Sequence, residues 1–179
     1  PAGNLTKLKI ALAYGADAVY ASTGSFSLRQ RSAKEFSKES FAQGVAYAHE
    51  RGRKLYATVN GFATNGQLEN IKRHLEFLRD LRVDGILIAT LGVASLARAV
   101  APQIPIHVST QANVLNYLDA QVWVELGAVR IVAAREMTLK DAVEIKEKIP
   151  NLEIEIFVHG SMCFAYSGRC LVSAVQSGR

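Results

Sequence analysis

With 179 residues, 49% of them hydrophobic and 21% charged, the chain is long enough for one domain with a substantial core and too apolar for disorder. Lysine and arginine outnumber aspartate and glutamate by 21 to 16, giving +5 and a pI near 9.3, a surplus that suits an acidic partner such as RNA. No basic run reaches five residues, so an ordinary, slightly basic enzyme surface explains the charge more simply.

The opening Pro1-Ala-Gly-Asn4 reads as a loop following an absent first strand, with a helix from about Leu5 to Tyr14. Gly15-Ala-Asp-Ala-Val-Tyr-Ala then introduces a strand over 17–21, and Arg29, Arg31 and Lys34 fall in the segment after it. Ser40 with Gln43 resembles a capping box for the next helix. A strand at 54–60 is followed by Asn65 as an N-cap and a helix over 67–82, where Leu68, Ile71, Leu75, Leu78 and Leu81 recur at threes and fours. The stretch from Gly85 to Ala97, the longest apolar one, ends at Arg98 short of the ~18 residues of a membrane span. It reads as a strand over 84–89, a turn and a helix. Further strands are predicted at 105–109, 129–134 and 153–159, with Thr138 and Asp141 as a second capping box.

Gly15, Val83-Asp-Gly and Gly127 each close an amphipathic stretch and open a short apolar strand. Such helix, glycine turn, strand units predict a parallel βα array in one domain spanning residues 1–179. The fold class is α/β, a TIM-type (β/α) barrel. Six strands do not close eight, so the barrel is incomplete and the chain reads as an excerpt of a longer protein. A doubly wound sheet is the alternative, but it would want a glycine-rich phosphate turn, and neither GxGxxG nor GxxxxGK[ST] occurs. The absence of a cationic apolar leader argues against export and for a cytoplasmic protein without a membrane partner.

Alternation along the strands selects candidate site residues. Leu55, Ala57 and Val59 face the helices, leaving Tyr56, Thr58 and Asn60 inward. Ile106 and Val108 leave His107, Ser109 and Gln111 inward. Ile154, Ile156 and Val158 leave Glu153, Glu155, Phe157 and His159 inward. Barrel interiors are normally apolar, so this polar set is either a wet pocket at the catalytic end or a buried network that satisfies itself. In His107-Val-Ser-Thr-Gln-Ala-Asn113, part of the polarity caps the following helix. Arg135-Glu136 is a local ion pair or, at a barrel mouth, a clamp for carboxylate or phosphate.

Both cysteines, Cys163 and Cys170, lie in a loop of small and polar residues after the last strand. Two thiolates are half of a zinc or iron–sulfur site, unless His159 or residues beyond Arg179 complete it. A Cys163–His159 pair also fits a thiolate nucleophile, but no orienting third group or oxyanion site is evident, and neither GxSxG nor HExxH occurs.

The span Glu155-x-Phe-x-x-Gly-Ser-Met-Cys163, four residues, then Gly168-x-Cys-x-Val-Ser173, is similar to the signature of the peptidase U thirty-two (collagenase-like peptidase) family. Further matches are Pro1-Ala-Gly-Asn4, Gly15-Ala-Asp-Ala-Val-Tyr20, Phe26-Ser-Leu-Arg29 with Arg31, the His-x-Ser-x-Gln-Ala-Asn pattern and Arg135-Glu136. Phe26-Ser-Leu-Arg-x-Arg and Ala165-Tyr-Ser-Gly-Arg-Cys170 resemble the branch that hydroxylates the wobble uridine of transfer RNA, with prephenate implicated. Ala21-Ser22 departs from the glycine often found there.

The resemblance implies a four-iron iron–sulfur cluster with Cys163 and Cys170 as its first two ligands and further cysteines past Arg179. Of the inward and mouth residues, His159, His107, Glu155 and Arg135 are the catalytic candidates. Tyr56, Asn60, Ser109, Gln111 and Asn113 are expected to bind a small organic acid, and Arg29 and Arg31 to contact phosphates of tRNA or another RNA. The alternatives are a collagenase-like peptidase and a non-catalytic iron–sulfur partner subunit.

Overall fold

The computed structural model describes residues 1–23, 26–27, 36–159 and 165. Arg29, Arg31, Lys34, Cys163 and Cys170 lie outside the described residues.

Helices and strands alternate: α1 (Leu5–Ala13), β1 (Ala18–Ala21), α2 (Lys38–His49), β2 (Lys54–Val59), α3 (Leu68–Asp80) and β3 (Gly85–Ile88). They continue through α4 (Leu91–Val100), β4 (Ile106–Val108), α5 (Tyr117–Glu125), β5 (Ala128–Val132), α6 (Leu139–Lys148) and β6 (Glu153–Glu155). The six strands form one parallel sheet in the order β1-β2-β3-β4-β5-β6. This strictly sequential order excludes the doubly wound alternative, whose strand order reverses at a switch point. The sheet is a half-barrel.

Local chemistry sets the element ends. Asn4 accepts a hydrogen bond from the Lys7 amide at 2.9 Å and starts α1, and Thr138 with Asp141 forms the expected capping box of α6. Two caps differ from expectation. Helix α2 is capped by Ser37, whose hydroxyl accepts from the Ser40 amide at 3.2 Å, and not by a Ser40–Gln43 box. Before α3, Thr64 rather than Asn65 begins the helical path, because Gln67 three residues on accepts from the Thr64 amide at 2.9 Å. A single 3₁₀ turn, Asn65–Gln67, leads into the helix.

Four of the six returns from helix to strand carry a left-handed residue, three of them glycine: Gly15 at φ 93°, Gly52 at 63° and Gly127 at 90°. In the α3–β3 turn that place is held by Arg82, at φ 55°.

The core lies between the sheet's outer face and the helices. Leu55, Ala57, Val59, Ile86, Ile106 and Val108 pack with Phe41, Ile71, Leu75 and Leu78 in one buried cluster. A smaller group on the inner face holds Tyr56, Leu87 and Val132, flanked by Ala18 and Tyr20. The predicted inward and outward parity of β2 and β4 is therefore observed.

The last strand is shorter than expected. It pairs with β5 only over Glu153–Glu155, and its final rung is the Ala133 amide donating to the Glu155 carbonyl at 2.8 Å. Beyond Ala133 the β5 chain turns away, the Met137 amide bonding back to the Ala134 carbonyl, so residues 156–159 have no strand beside them among the described residues. Phe157 is 57% and Val158 93% exposed, and His159 is exposed as well. The expected alternation, with Phe157 and His159 inward, does not extend past Glu155.

Candidate active site at the strand ends

Facing side chains on neighbouring strands form a polar and aromatic layer across the inner surface of the half-barrel. Tyr20 sits opposite Tyr56 in the β1–β2 register, with ring centroids 5.2 Å apart. The Tyr56 ring meets the His107 ring edge-on at 4.6 Å, and the Arg130 guanidinium lies 5.2 Å from the Tyr56 centroid. Arg130 Nε donates to Glu153 at 2.7 Å, and its Nη1 lies 3.6 Å from Glu155. The Tyr20 hydroxyl donates to the same Glu155 carboxylate, linking the first strand to the last. Five of these side chains, from β1, β2, β5 and β6, thus hold one another in a ring of contacts, with His107 of β4 against it.

His107 owes its place to a missing side chain. A Cβ on Gly85 of β3 would stand 2.8 Å from His107 Cε1 and 3.1 Å from Tyr56 Cδ1, closer than carbon atoms approach. The ring is 3% exposed, and its Nδ1 has no hydrogen-bond partner among the described residues. Burial, with Arg130 and Lys54 nearby and only partly countered by Glu153, brings its pKa down to about 4. His107 is consequently a neutral imidazole near pH 7, a weak base with a single ring N–H and no positive charge.

The carboxylates respond to the same layer. Arg130 holds Glu153 below the usual carboxylate range by hydrogen bonding. Burial pushes the Tyr20 phenol up, helped by the Glu155 carboxylate. Burial works against the Arg130 charge, but its bonds to Glu153 and Tyr56 outweigh this and keep it protonated.

Above this layer, where β2 and β4 end, Asn60, Ser109 and Gln111 come together as predicted. Asn60 Nδ2 donates to Gln111 Oε1 at 2.8 Å and approaches Ser109 Oγ at 3.2 Å, and the Ser109 hydroxyl donates to Gln111. The loop is fixed by the Ser109 amide on the Ile88 carbonyl at 2.8 Å and by the Thr110 hydroxyl on the Ala133 carbonyl at 3.1 Å. Asn113 follows in the left-handed conformation, at φ 55°, ψ 45°. Arg135, exposed beyond β5, donates to the Ala165 carbonyl at 2.9 Å. The parallel strands point their C-terminal ends here, the end at which barrel enzymes place their chemistry.

Sequence reasoning missed Arg130 because of a bulge. Ile106 pairs with Ala128 but His107 pairs with Arg130, so Val129 is an extra residue. Ala128 and Ile131 pack in the main core, whereas Val132 joins the inner cluster. A strict alternation from Ala128 would bury Arg130 in the helix layer. Tyr20 was legible, since Val19 and Ala21 are the core residues of β1.

The opposite end of the sheet carries an open cleft of about 730 Å³, lined by Arg79, Arg82, Asp84, Gln103 and Pro105 among others. It lies where β3 and β4 begin, the end devoted to stability in such folds. Asp84 there binds the Leu55 amide at 2.8 Å and His49 Nε2 at 3.0 Å. No group of three or more His, Cys, Asp or Glu suited to a metal occurs among the described residues.

The model of Peptidase family U32 matches residues 3–179. The chain belongs to this family. A Helicobacter pylori protein named tRNA hydroxylation protein P is 61% identical over 179 residues, covering 100% of this chain and 42% of that protein. The Escherichia coli 23S rRNA 5-hydroxycytidine synthase is 32% identical over 179 residues, again all of this chain but 26% of the relative. Among solved structures, the U32 peptidase Mk0906 superposes with a TM-score of 0.72 at 20% identity, over 90% of this chain and 67% of that one. The chain therefore spans less than half the length of these curated relatives, and the half-barrel has a counterpart in a solved U32 structure.

Proposed function

We propose that this chain is the substrate-binding part of an RNA-modifying hydroxylation enzyme, with a transfer-RNA uridine as the base it serves. The observation that carries the reading is the convergence of Asn60, Ser109 and Gln111 at the C-terminal ends of β2 and β4. The names of the U32 relatives, one acting on tRNA and one on rRNA, support the RNA class. Asn, Ser and Gln are hydrogen-bonding groups of the kind that read the edge of an unstacked base. Arg29, Arg31 and Arg135 would grip the backbone, and a small organic acid such as prephenate would share the mouth. An RNA substrate puts the work in the cytoplasm.

Hydroxylating a pyrimidine carbon is a two-electron oxidation, chemistry that side chains leave to a cofactor. Cys163 and Cys170 are donors of the right kind for an iron–sulfur cluster, yet they are two of the four thiolates a four-iron cluster takes. Further cysteines past Arg179 would complete the set, and a cluster there would supply electron transfer. The residues of this chain would orient the base and exclude water.

The test is complementation. Cells lacking the gene and restored with the full-length protein regain hydroxylated uridine in tRNA hydrolysates. The Cys163→Ser or Cys170→Ser protein fails to restore it, and anaerobically purified wild type contains iron and sulfide. Cleavage of gelatin that Cys163→Ala abolishes, without any change in tRNA, would favour a peptidase. Modification appearing only after a second protein is added would favour a partner subunit.

A further inference from the structure

We propose that Gln111 is a specificity-determining residue whose carboxamide is locked to present only N–H donors at the barrel mouth. It would thereby select a ligand that offers a carbonyl or carboxylate oxygen. The inference rests on the substrate-binding role proposed above for this end of the sheet and adds what that site asks of its ligand.

The lock follows from donor and acceptor counting. An amide oxygen has two lone-pair positions, and Gln111 Oε1 receives two donors, Asn60 Nδ2 at 2.8 Å and the Ser109 hydroxyl. Ser109 is 2% and Asn60 8% exposed, so water does not replace these partners. With the Asn60 amide held in its present orientation, turning the Gln111 carboxamide over would set Gln111 Nε2 against Asn60 Nδ2, donor against donor, in a dry site. The backbone is held as well, by the Thr110 bond to Ala133 and by the Ala112 amide on the Ser109 carbonyl at 2.9 Å. With Oε1 inward, Nε2 is on the outward side of a half-buried side chain and has no partner among the described residues.

A preorganised donor favours an acceptor and rejects a second donor, because mismatch leaves both groups unpaired. Both a pyrimidine ring carbonyl and the carboxylate of a small acid provide that oxygen.

The experiment uses the full-length protein as wild type, Gln111→Glu and Asn60→Asp. Dissociation constants are measured at pH 7.5 for an RNA hairpin with one loop uridine, for the same hairpin abasic at that position, and for malonate. In Gln111→Glu, one carboxylate oxygen keeps the bonds to Asn60 and Ser109 while the other faces the ligand as an acceptor. The uridine hairpin should then bind at least about tenfold more weakly at pH 7.5, the scale of one lost hydrogen bond to a mismatched group. Abasic binding should not change. Asn60→Asp should produce a similar loss by turning the Gln111 amide round.

If malonate alone follows this pattern, the acceptor belongs to a small acid and the proposal stands with that source. Unchanged binding of both probes in both variants overturns it, as does a loss equal for intact and abasic hairpins and equal for malonate. RNA binding that ignores Gln111 leaves the RNA reading intact without this role. Gln111-dependent malonate binding with no RNA binding rejects the RNA reading alone, and wild type binding neither probe rejects both.

Discussion

His107 pairs with Leu87 in the β3–β4 register, and its ring lies over Gly85 two residues earlier on β3. The inner face at Gly85 is occupied by an imidazole that any side chain would displace. Gly85→Ala should destabilise the full-length protein by about 1–3 kcal/mol, the usual cost of overpacking, as measured by urea unfolding. Gly85→Ala combined with His107→Ala should recover much of that loss, because the clash disappears. An unchanged single variant would mean that the ring is not seated over Gly85.

His107 also shares a property with His74 of α3. Both are buried, at 3% and 5% exposure, and both have pKa values of about 4, His107 through burial with Arg130 and Lys54, His74 through burial with Lys38 nearby. A histidine kept neutral by the fold costs stability as the medium becomes acid. Below about 6.5 the unfolded chain takes up protons that the folded chain refuses, so stability present above that pH is lost as pH falls towards 4. Each residue should contribute roughly 2–3 kcal/mol to the loss. His74→Phe, which suits the contacts of that ring with Phe26 and Phe77 at 5.6 and 6.1 Å, should flatten the thermal midpoint between pH 6.5 and pH 4.5. A profile identical to wild type would show that His74 does not carry the effect.

At the scale of elements, the turns are the revealing comparison. Three returns from helix to strand use glycine in the left-handed region, and the α3–β3 turn uses Arg82. A left-handed conformation costs a side-chain-bearing residue about 1–2 kcal/mol, against roughly 0.5–1 kcal/mol of added chain entropy for glycine. Arg82→Gly should therefore raise stability slightly, by about 0.5–1 kcal/mol in urea unfolding, unless Arg82 makes an offsetting contact in the cleft it lines. A destabilised variant would assign Arg82 such a contact.

The bridge from Tyr20 to Glu155 is the other element-scale feature, because it joins strands that are not neighbours in the sheet. It fixes the curvature of the half-barrel from inside. In a double-mutant cycle of Tyr20→Phe and Glu155→Gln, coupling of about 1 kcal/mol or more is expected, as for a partly buried hydrogen bond to a charged group. Additive losses would remove the bridge from the account.

For the whole molecule, the sequence order of the strands and the polarity of the inner face act together. Parallel strands with sequential order bring every C-terminal strand end to one rim, so residues 49 and 51 positions apart, Asn60 with Ser109 and with Gln111, become hydrogen-bonded neighbours. The same order sends Asp84, His49 and the open cleft to the other rim. No helix among the described residues is long and apolar enough to cross a membrane.

The sequence by itself determined the repeating helix–strand units, the inward parity of β2 and β4 and the convergence of Asn60, Ser109 and Gln111. These follow from hydrophobic periods that each segment carries locally, at two residues in strands and three to four in helices. Only the tertiary structure decided that Arg130 enters the inner layer, that His107 is neutral, and that the last strand ends at Glu155. Each of these depends on a partner distant in sequence: a one-residue bulge against β4, a ring seated on a glycine of another strand, and a neighbouring chain that turns away. Register and burial are properties of pairs of strands, and a single strand's pattern does not contain them.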